Sequence, residues 1–161
     1  LYTALKDTLN MARTLSGMGY ISKRRDLDQG LRWMEEGKAM MLQIGSEEHL
    51  AELVNNLGVL YEMKGDLDKA MEHYQWSLRL VKKFNDSIGM PYTLEHISGI
   101  YFYRSDFNEA LRLLDEAYRW RSSRADSNGL GQNLANQLEV HFAAGNFRKT
   151  TQLAATLVGI G

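Results

Sequence analysis

Four histidines, His49, His73, His96 and His141, are the residues of this chain best suited to acid–base or metal chemistry. Their spacing works against both. No two stand four apart on one helical face, as a two-histidine metal site requires, and no HExxH segment occurs. The carboxylate pairs Glu35-Glu36 and Asp115-Glu116 are adjacent in sequence. Neighbours on a helix point about 100° apart, so neither pair faces a single substrate. Arg119, Arg121 and Arg124 beside Trp120 form a short basic cluster with Asp115, Glu116 and Asp126 nearby, the pattern of an ordinary charged surface. The glycine-rich stretches lack the Lys-Ser/Thr of a phosphate loop. The chain has no cysteine, so thiolate chemistry is excluded. These residues specify no catalytic centre, no cofactor and no metal, and point to a protein that is not an enzyme.

The organising signal lies in the elements instead. In the stretch Asn55–Leu78, apolar residues fall at Leu57, Leu60 and Tyr61, then at Leu67, Met71, Tyr74 and Leu78. Steps of three and four place each set on one helical face. Gly65 sits where the first helix must stop, and Asp66 follows as the N-cap of the second. Gly58 and Ala70 are small enough for the two backbones to approach, with Tyr61 and Tyr74 filling the space beside them.

Shifting the sequence by 40 residues brings like onto like. Asp66 falls on Asp26, Asp106 and Asn146, and Leu67 on Leu27, Phe107 and Phe147. Ala70 falls on Gly30, Ala110 and Thr150, Tyr61 on Ile21, Tyr101 and His141, and Gly65 on Arg25, Ser105 and Gly145. Several columns agreeing at one period define an internal repeat. The repeats run over about 7–44, 46–84, 86–124 and 128–158, a single array over 1–161. Residues 1–6 extend the first helix or end an earlier one. Pro91 is harmless if its helix begins near Gly89 or Met90, because the first turn needs no proline N–H. Because the chain starts at Leu1, it is expected to be a fragment of a longer protein.

The pattern Leu57-Gly58, Tyr61, Gly65-Asp66, Ala70, Tyr74 and Ser77-Leu78 resembles the tetratricopeptide-repeat signature. The long period, with the linker-like segments 85–89 and 125–129, is similar to the branch found in kinesin light chains and in sensor domains of bacterial regulators. Gly17-Met18 and Gln137-Leu138 stand where the Leu-Gly pair is expected. The resemblance implies an all-α fold, an α-solenoid of about four hairpins wound into a right-handed superhelix. It also implies a concave groove lined by the first helix of each repeat. The groove positions are Glu52, Asn55, Asn56, Val59, Glu62 and Met63, then Tyr92, Glu95, His96, Gly99, Phe102 and Tyr103, then Gln132, Asn136, Glu139 and Phe142. The basic residues of the family's carboxylate clamp are missing, with only Lys23 and Asn55 or Asn56 as partial matches.

The implied function is a non-enzymatic protein–protein interaction scaffold. Its groove would take a peptide or helical segment with apolar anchors and some positive charge. The alternative is a ligand-sensing domain of a bacterial regulator that responds to a small molecule or signalling peptide by changing its assembly state. Nineteen basic residues against twenty acidic ones give no electrostatic footprint for nucleic acid or anionic membranes. No run approaches the length of a membrane span and no signal-peptide pattern occurs, so the expected location is cytoplasmic. The last helix has hardly any charged face, which offers a surface for self-association.

Overall fold

The computed structural model describes residues 2–159, with side chains described from residue 4. The described residues form eight α-helices: α1 (Tyr2–Ser22), α2 (Leu27–Gln43), α3 (Glu47–Met63), α4 (Leu67–Lys83), α5 (Gly89–Tyr103), α6 (Phe107–Ser123), α7 (Ser127–Ala143) and α8 (Phe147–Gly159). They fall into two compact units, Leu1–Asp86 and Ser87–Gly161, each of two antiparallel hairpins. The second hairpin stacks on the first through α2 against α3 in one unit and α6 against α7 in the other. α1 begins at Tyr2, so residues 2–6 extend the first helix, while Leu1 lies outside the described residues. Pro91 is the third residue of α5, inside the first turn as expected.

The turns repeat every 20 residues, half the sequence period. Gly45, Gly65, Asn85, Ser105, Ala125 and Gly145 all have positive φ, between 52° and 83°. Each closes the preceding helix with the same pair of bonds. At the second turn, Gly65 N–H donates to the Glu62 carbonyl and Asp66 N–H to the Tyr61 carbonyl, both at 2.9 Å. This is a Schellman closure, which satisfies carbonyls that the helix end would leave bare. The next residue then starts the following helix. The Asp66 carboxylate accepts from Lys69 N–H at 3.1 Å, and Asp26, Asp106 and Asp126 cap in the same way.

Inside the hairpin α3–α4, a Cβ placed on Gly58 would lie 2.4 Å from the Tyr74 ring. Tyr74 is fully buried, and its hydroxyl donates to Glu62 at 2.7 Å. Tyr61, expected to fill the same space, is only half-buried; its hydroxyl donates to Glu35 at 3.2 Å and its ring lies beside His73. Burial and the neighbouring Glu35 carboxylate push the Tyr61 phenol above its ordinary range.

Repeat one departs from the 40-residue register. Its hairpin turn has four residues, 23–26, where the others have three, and Arg25 is not left-handed. The Asp26 N–H donates to Ser22, one residue later than the Asp66 pattern. α1 also ends two residues earlier than α3 does, so the stretch from Gly19 to Leu27 is one residue shorter than that from Gly58 to Leu67, and α1 is displaced by one position against α2. A Cβ on Gly19 would lie 2.7 Å from the Gly30 carbonyl, and one on Gly37 2.8 Å from the Ala12 carbonyl. In the next hairpin Ser77, the counterpart of Gly37, donates to the Ala51 carbonyl at 2.9 Å. Ala12 therefore matches Ala51 and Gly19 matches Gly58. The Leu-Gly pair of repeat one is Met18-Gly19, not Gly17-Met18. Ile21 leaves the Tyr61 column, which Ser22 occupies instead.

Ala125 is the left-handed residue with the least reason to be there, since it has neither glycine's freedom nor a polar side chain to bond locally. Ala125→Gly is expected to stabilise the fold by about 1 kcal/mol, a rise in Tm of about 2–4 °C for a chain of this size. Thermal unfolding followed by circular dichroism checks it; a lower Tm would contradict the assigned turn.

Candidate functional site

The helices that open each hairpin carry the expected groove positions, and their burial repeats. Residues 51–65 of α3 and its turn match residues 91–105 of α5 and its turn almost position for position. In each, one face is buried, and an open column carries Glu52, Tyr92 and Gln132. The next columns carry Asn56, His96 and Asn136, then Val59, Gly99 and Glu139.

In the first unit, α1 and α3 flank a cleft of about 500 Å³. Arg13, Ser16, Gly17 and Tyr20 line it from α1, and Glu48, His49, Glu52 and Asn56 from α3. Gly17 leaves its side open: a Cβ there meets nothing within 4 Å. Of the expected residues, the cleft brings Glu52 and Asn56 together. Asn55 is half-buried and lies off the lining; its Oδ1 is buried without a hydrogen-bond partner. Glu62 accepts the Tyr74 hydroxyl, so its carboxylate is partly committed to holding that ring. Met63 is exposed. Lys23 sits over the Tyr20 ring at 3.2 Å rather than standing free for a clamp.

In the second unit, the arginine cluster expected on the surface is split. Arg121 is 2% exposed. Its guanidinium grips Glu95 through two bonds, of 2.8 and 2.6 Å, and reaches Asp126 at 2.5 Å. Asn133 donates to Glu95 at 2.9 Å and to the Leu114 carbonyl at 3.1 Å, and Gln137 donates to Asn133 at 3.0 Å. Glu95 is thus turned inward and is not a groove acceptor. Burial requires this arrangement, since a desolvated charge is tolerated only when paired and hydrogen-bonded. The Arg121 pKa is raised, chiefly by the Glu95 bonds. The Asp126 carboxyl is held low by the Gly129 N–H first and Arg121 next. Gly129 is required here, because a Cβ would fall 2.0 Å from the guanidinium.

Tyr92 lies on the outer side of this network. Its ring covers the Arg121 guanidinium at 4.5 Å, and the residue stays 50% exposed. Tyr103 is 59% exposed. Phe102, expected beside it in the groove, packs against Phe107 at 6.0 Å and belongs to the cluster around Ala110, Leu114 and Val140. His96 is half-buried with interactions of its own. On α7, Gln132 donates to Asn136 at 3.0 Å, Glu139 is exposed, and Phe142 stands edge-on to Phe147. Arg121 and Asn133 were missed from the sequence. One signal was available: a charge at the position where repeats one and two carry Met41 and Val81.

Among the described residues, no group of three potential ligands is placed to hold a metal ion, and no helix is long and apolar enough to cross a membrane.

Residues 7–83 match the family model described as tetratricopeptide repeat. No curated protein matches the sequence. Among solved structures, BtubC (BKLC) from P. vanneervenii is 19% identical with a TM-score of 0.84, covering 92% of this chain and 62% of its own. Aspartyl phosphate phosphatase F from Bacillus subtilis is 12% identical with a TM-score of 0.85, over 94% of this chain and 40% of its own. The nearly identical TPR-like repeats of a Podosopora anserina protein, described as a kinesin light chain, give 14% and 0.81, over 95% and 75%. The chain therefore spans about three-fifths and two-fifths of the first two. At these identities the likeness is one of fold, that of an all-α solenoid.

Removing Arg121 alone would leave Glu95 buried and unpaired. Arg121→Val is expected to cost about 3–5 kcal/mol, whereas the double change Arg121→Val with Glu95→Asn, which copies Val81 and Asn55 of the preceding repeat, costs less than the single one. Denaturant unfolding of the parent, Arg121→Val, Glu95→Asn and the double checks this; a double change as damaging as the sum of the singles would contradict the pairing.

Proposed function

We propose that this chain, a member of the tetratricopeptide-repeat family, is a non-enzymatic scaffold that holds a protein segment against the open columns of α5 and α7 in the second unit. The family is one of interaction modules, and its members bind proteins or peptides; the residues of the site are the proposal. The observation that carries it is Tyr92. Its ring is half out in solvent, yet it is stacked on a guanidinium fixed by three hydrogen bonds to Glu95 and Asp126, with Asn133 donating to the same Glu95 carboxylate. An aromatic held in advance loses little entropy when a partner lands on it, and such residues dominate interface energetics. Tyr103 adds a second exposed ring on the same helix. Glu139 supplies negative charge, while Gln132 and Asn136 offer amides for a peptide backbone. The preferred segment accordingly carries apolar anchors and positive charge.

Selection from a displayed peptide library, followed by calorimetry on the winners, tests this. Tyr92→Ala and Tyr103→Ala are each expected to weaken binding about 30-fold, the effect of losing a hot-spot side chain. Phe102 is left in place because it belongs to the core. Selected peptides that bind both variants as tightly as the parent would move the site elsewhere.

The cleft of the first unit favours a second reading, a small-molecule or signalling-peptide sensor, because its volume is that of a small-ligand pocket. Gly17→Leu would fill it from its open side. On the sensor reading, a ligand found by thermal-shift screening raises the Tm of the parent and not of Gly17→Leu. A ligand that stabilises both equally does not use the cleft.

A further inference from the structure

Gly99 is a glycine that the fold does not require. Gly58 and Gly129 make room for the Tyr74 ring and the Arg121 guanidinium, and Gly65 has positive φ. Gly99 does neither: its φ is not left-handed, and a Cβ there would meet nothing within 4 Å. It stands inside α5, where glycine is a poorer helix former than alanine because it gives up more backbone freedom. α5 thus carries a destabilising residue that no packing among the described residues offsets. The same column holds Val59 in the first unit and Glu139 on α7.

The bare position lies between two rings. Tyr92, Gly99 and Tyr103 are spaced by seven and four residues, which puts them on one stripe of α5, about 10 and 6 Å apart along its axis. Both rings stand at least half in solvent, so the turn between them is open. Glu139 on α7 is exposed and has no ion pair among the described residues. Beneath Tyr92, the one positive charge of Arg121 faces two negative ones, Glu95 and Asp126, so the network under the ring adds no net positive charge. The notch is apolar at its sides, empty at its floor and negative toward α7.

We infer that a lysine or arginine of the bound segment lies across Gly99, its aliphatic stem between the Tyr92 and Tyr103 rings and its cationic head on Glu139. The inference rests on the proposed use of α5 and α7 and adds which residue of the segment is read there. A long basic side chain meets both demands of the notch: its methylenes cover apolar surface while its head stays at the wet edge. A purely apolar residue would fill the floor and leave Glu139 without a counterion. Gly99 selects by absence, since any side chain of its own would occupy the path of the stem. The ion pair is exposed and contributes modestly, so most of the effect lies in the stem.

Peptides selected from a displayed library on the whole chain, and kept only if Tyr92→Ala weakens them, test this by calorimetry. They are expected to share one Lys or Arg. Replacing it by norleucine, which keeps a stem and removes the head, is expected to weaken binding about threefold, as is Glu139→Gln. The two losses are expected to overlap rather than multiply. Gly99→Ala is expected to raise Tm by about 2–4 °C and yet weaken binding about threefold. Gly99→Leu, first checked for helicity by circular dichroism, is expected to weaken it about 30-fold. A variant that is more stable and binds less well owes its loss to the notch and not to misfolding. Peptides that bind Gly99→Leu as tightly as the parent, or that share no basic residue, overturn the inference and leave the use of α5 and α7 standing. Losses that multiply overturn the pairing with Glu139. A selection that yields no Tyr92-dependent peptide overturns the use of α5 and α7, and this inference with it.

Discussion

The structure depends on one three-residue turn, repeated at 20-residue intervals. A helix end leaves carbonyls unsatisfied and the next helix start leaves N–H groups unsatisfied. Here both debts fall on adjacent residues. The left-handed residue and its successor satisfy the carbonyls through their N–H groups, and the successor's side chain satisfies the following N–H. Except at 84–88, where two further residues separate Asp86 from α5, the successor is at once the end of one closure and the start of the next helix, and no slack remains between them. Six of the seven connections carry the left-handed residue, and five helices between Leu27 and Ala143 come out at 17 residues. The 17-residue helices α3 and α4 and the three-residue turn between them bring the seam residues Gly58 and Tyr74 face to face.

Much of this was legible because it is local. Asp66 and Gly65 announce the turn by residue type alone, and the apolar steps of three and four announce the faces. What the sequence hid follows from the same constraint. Arg25 occupies the turn position without adopting its geometry, and a stretch one residue shorter between Gly19 and Leu27 slides α1 by one. No periodicity test sees a shift that changes spacing once. It moved the Leu-Gly pair to Met18-Gly19 and put Ile21 on an open stripe. The expected groove residues divided for a different reason. Sequence columns place a Cα, whereas the partner decides where a long side chain turns. Glu95 turns inward because Arg121 is there, Phe102 because Phe107 is there, and Tyr92 remains outside because the guanidinium beneath it fills the space.

The comparison of Val81 with Arg121 shows how one seam tolerates two chemistries. At this position the first unit buries an aliphatic side chain, while the second buries a charge with its counterion, an amide and a cap residue around it. A buried ion pair seldom adds net stability over an apolar pair of equal volume. What it adds here is position. The guanidinium is planar and held by Glu95 and Asp126, so the ring stacked on it inherits a fixed plane. The energetic role of the pair is thus smaller than its geometric one.

That division explains why a repeat of this kind suits recognition. The turns and the seam consume the residues that must be small, left-handed or buried, and they fix the helices without help from the open columns. Those columns are then unconstrained by the fold, and they vary accordingly: Glu52, Tyr92 and Gln132 share one position, as do Asn56, His96 and Asn136. A substitution there changes what the surface can touch and leaves the helices where they are. Substitution at Gly58, Gly129 or Ala110 moves a backbone or a buried charge, and the exposed columns are displaced with it. The positions that hold the fold and the positions it leaves open are therefore two separate sets, with Tyr92 and Arg121 as the place where they meet.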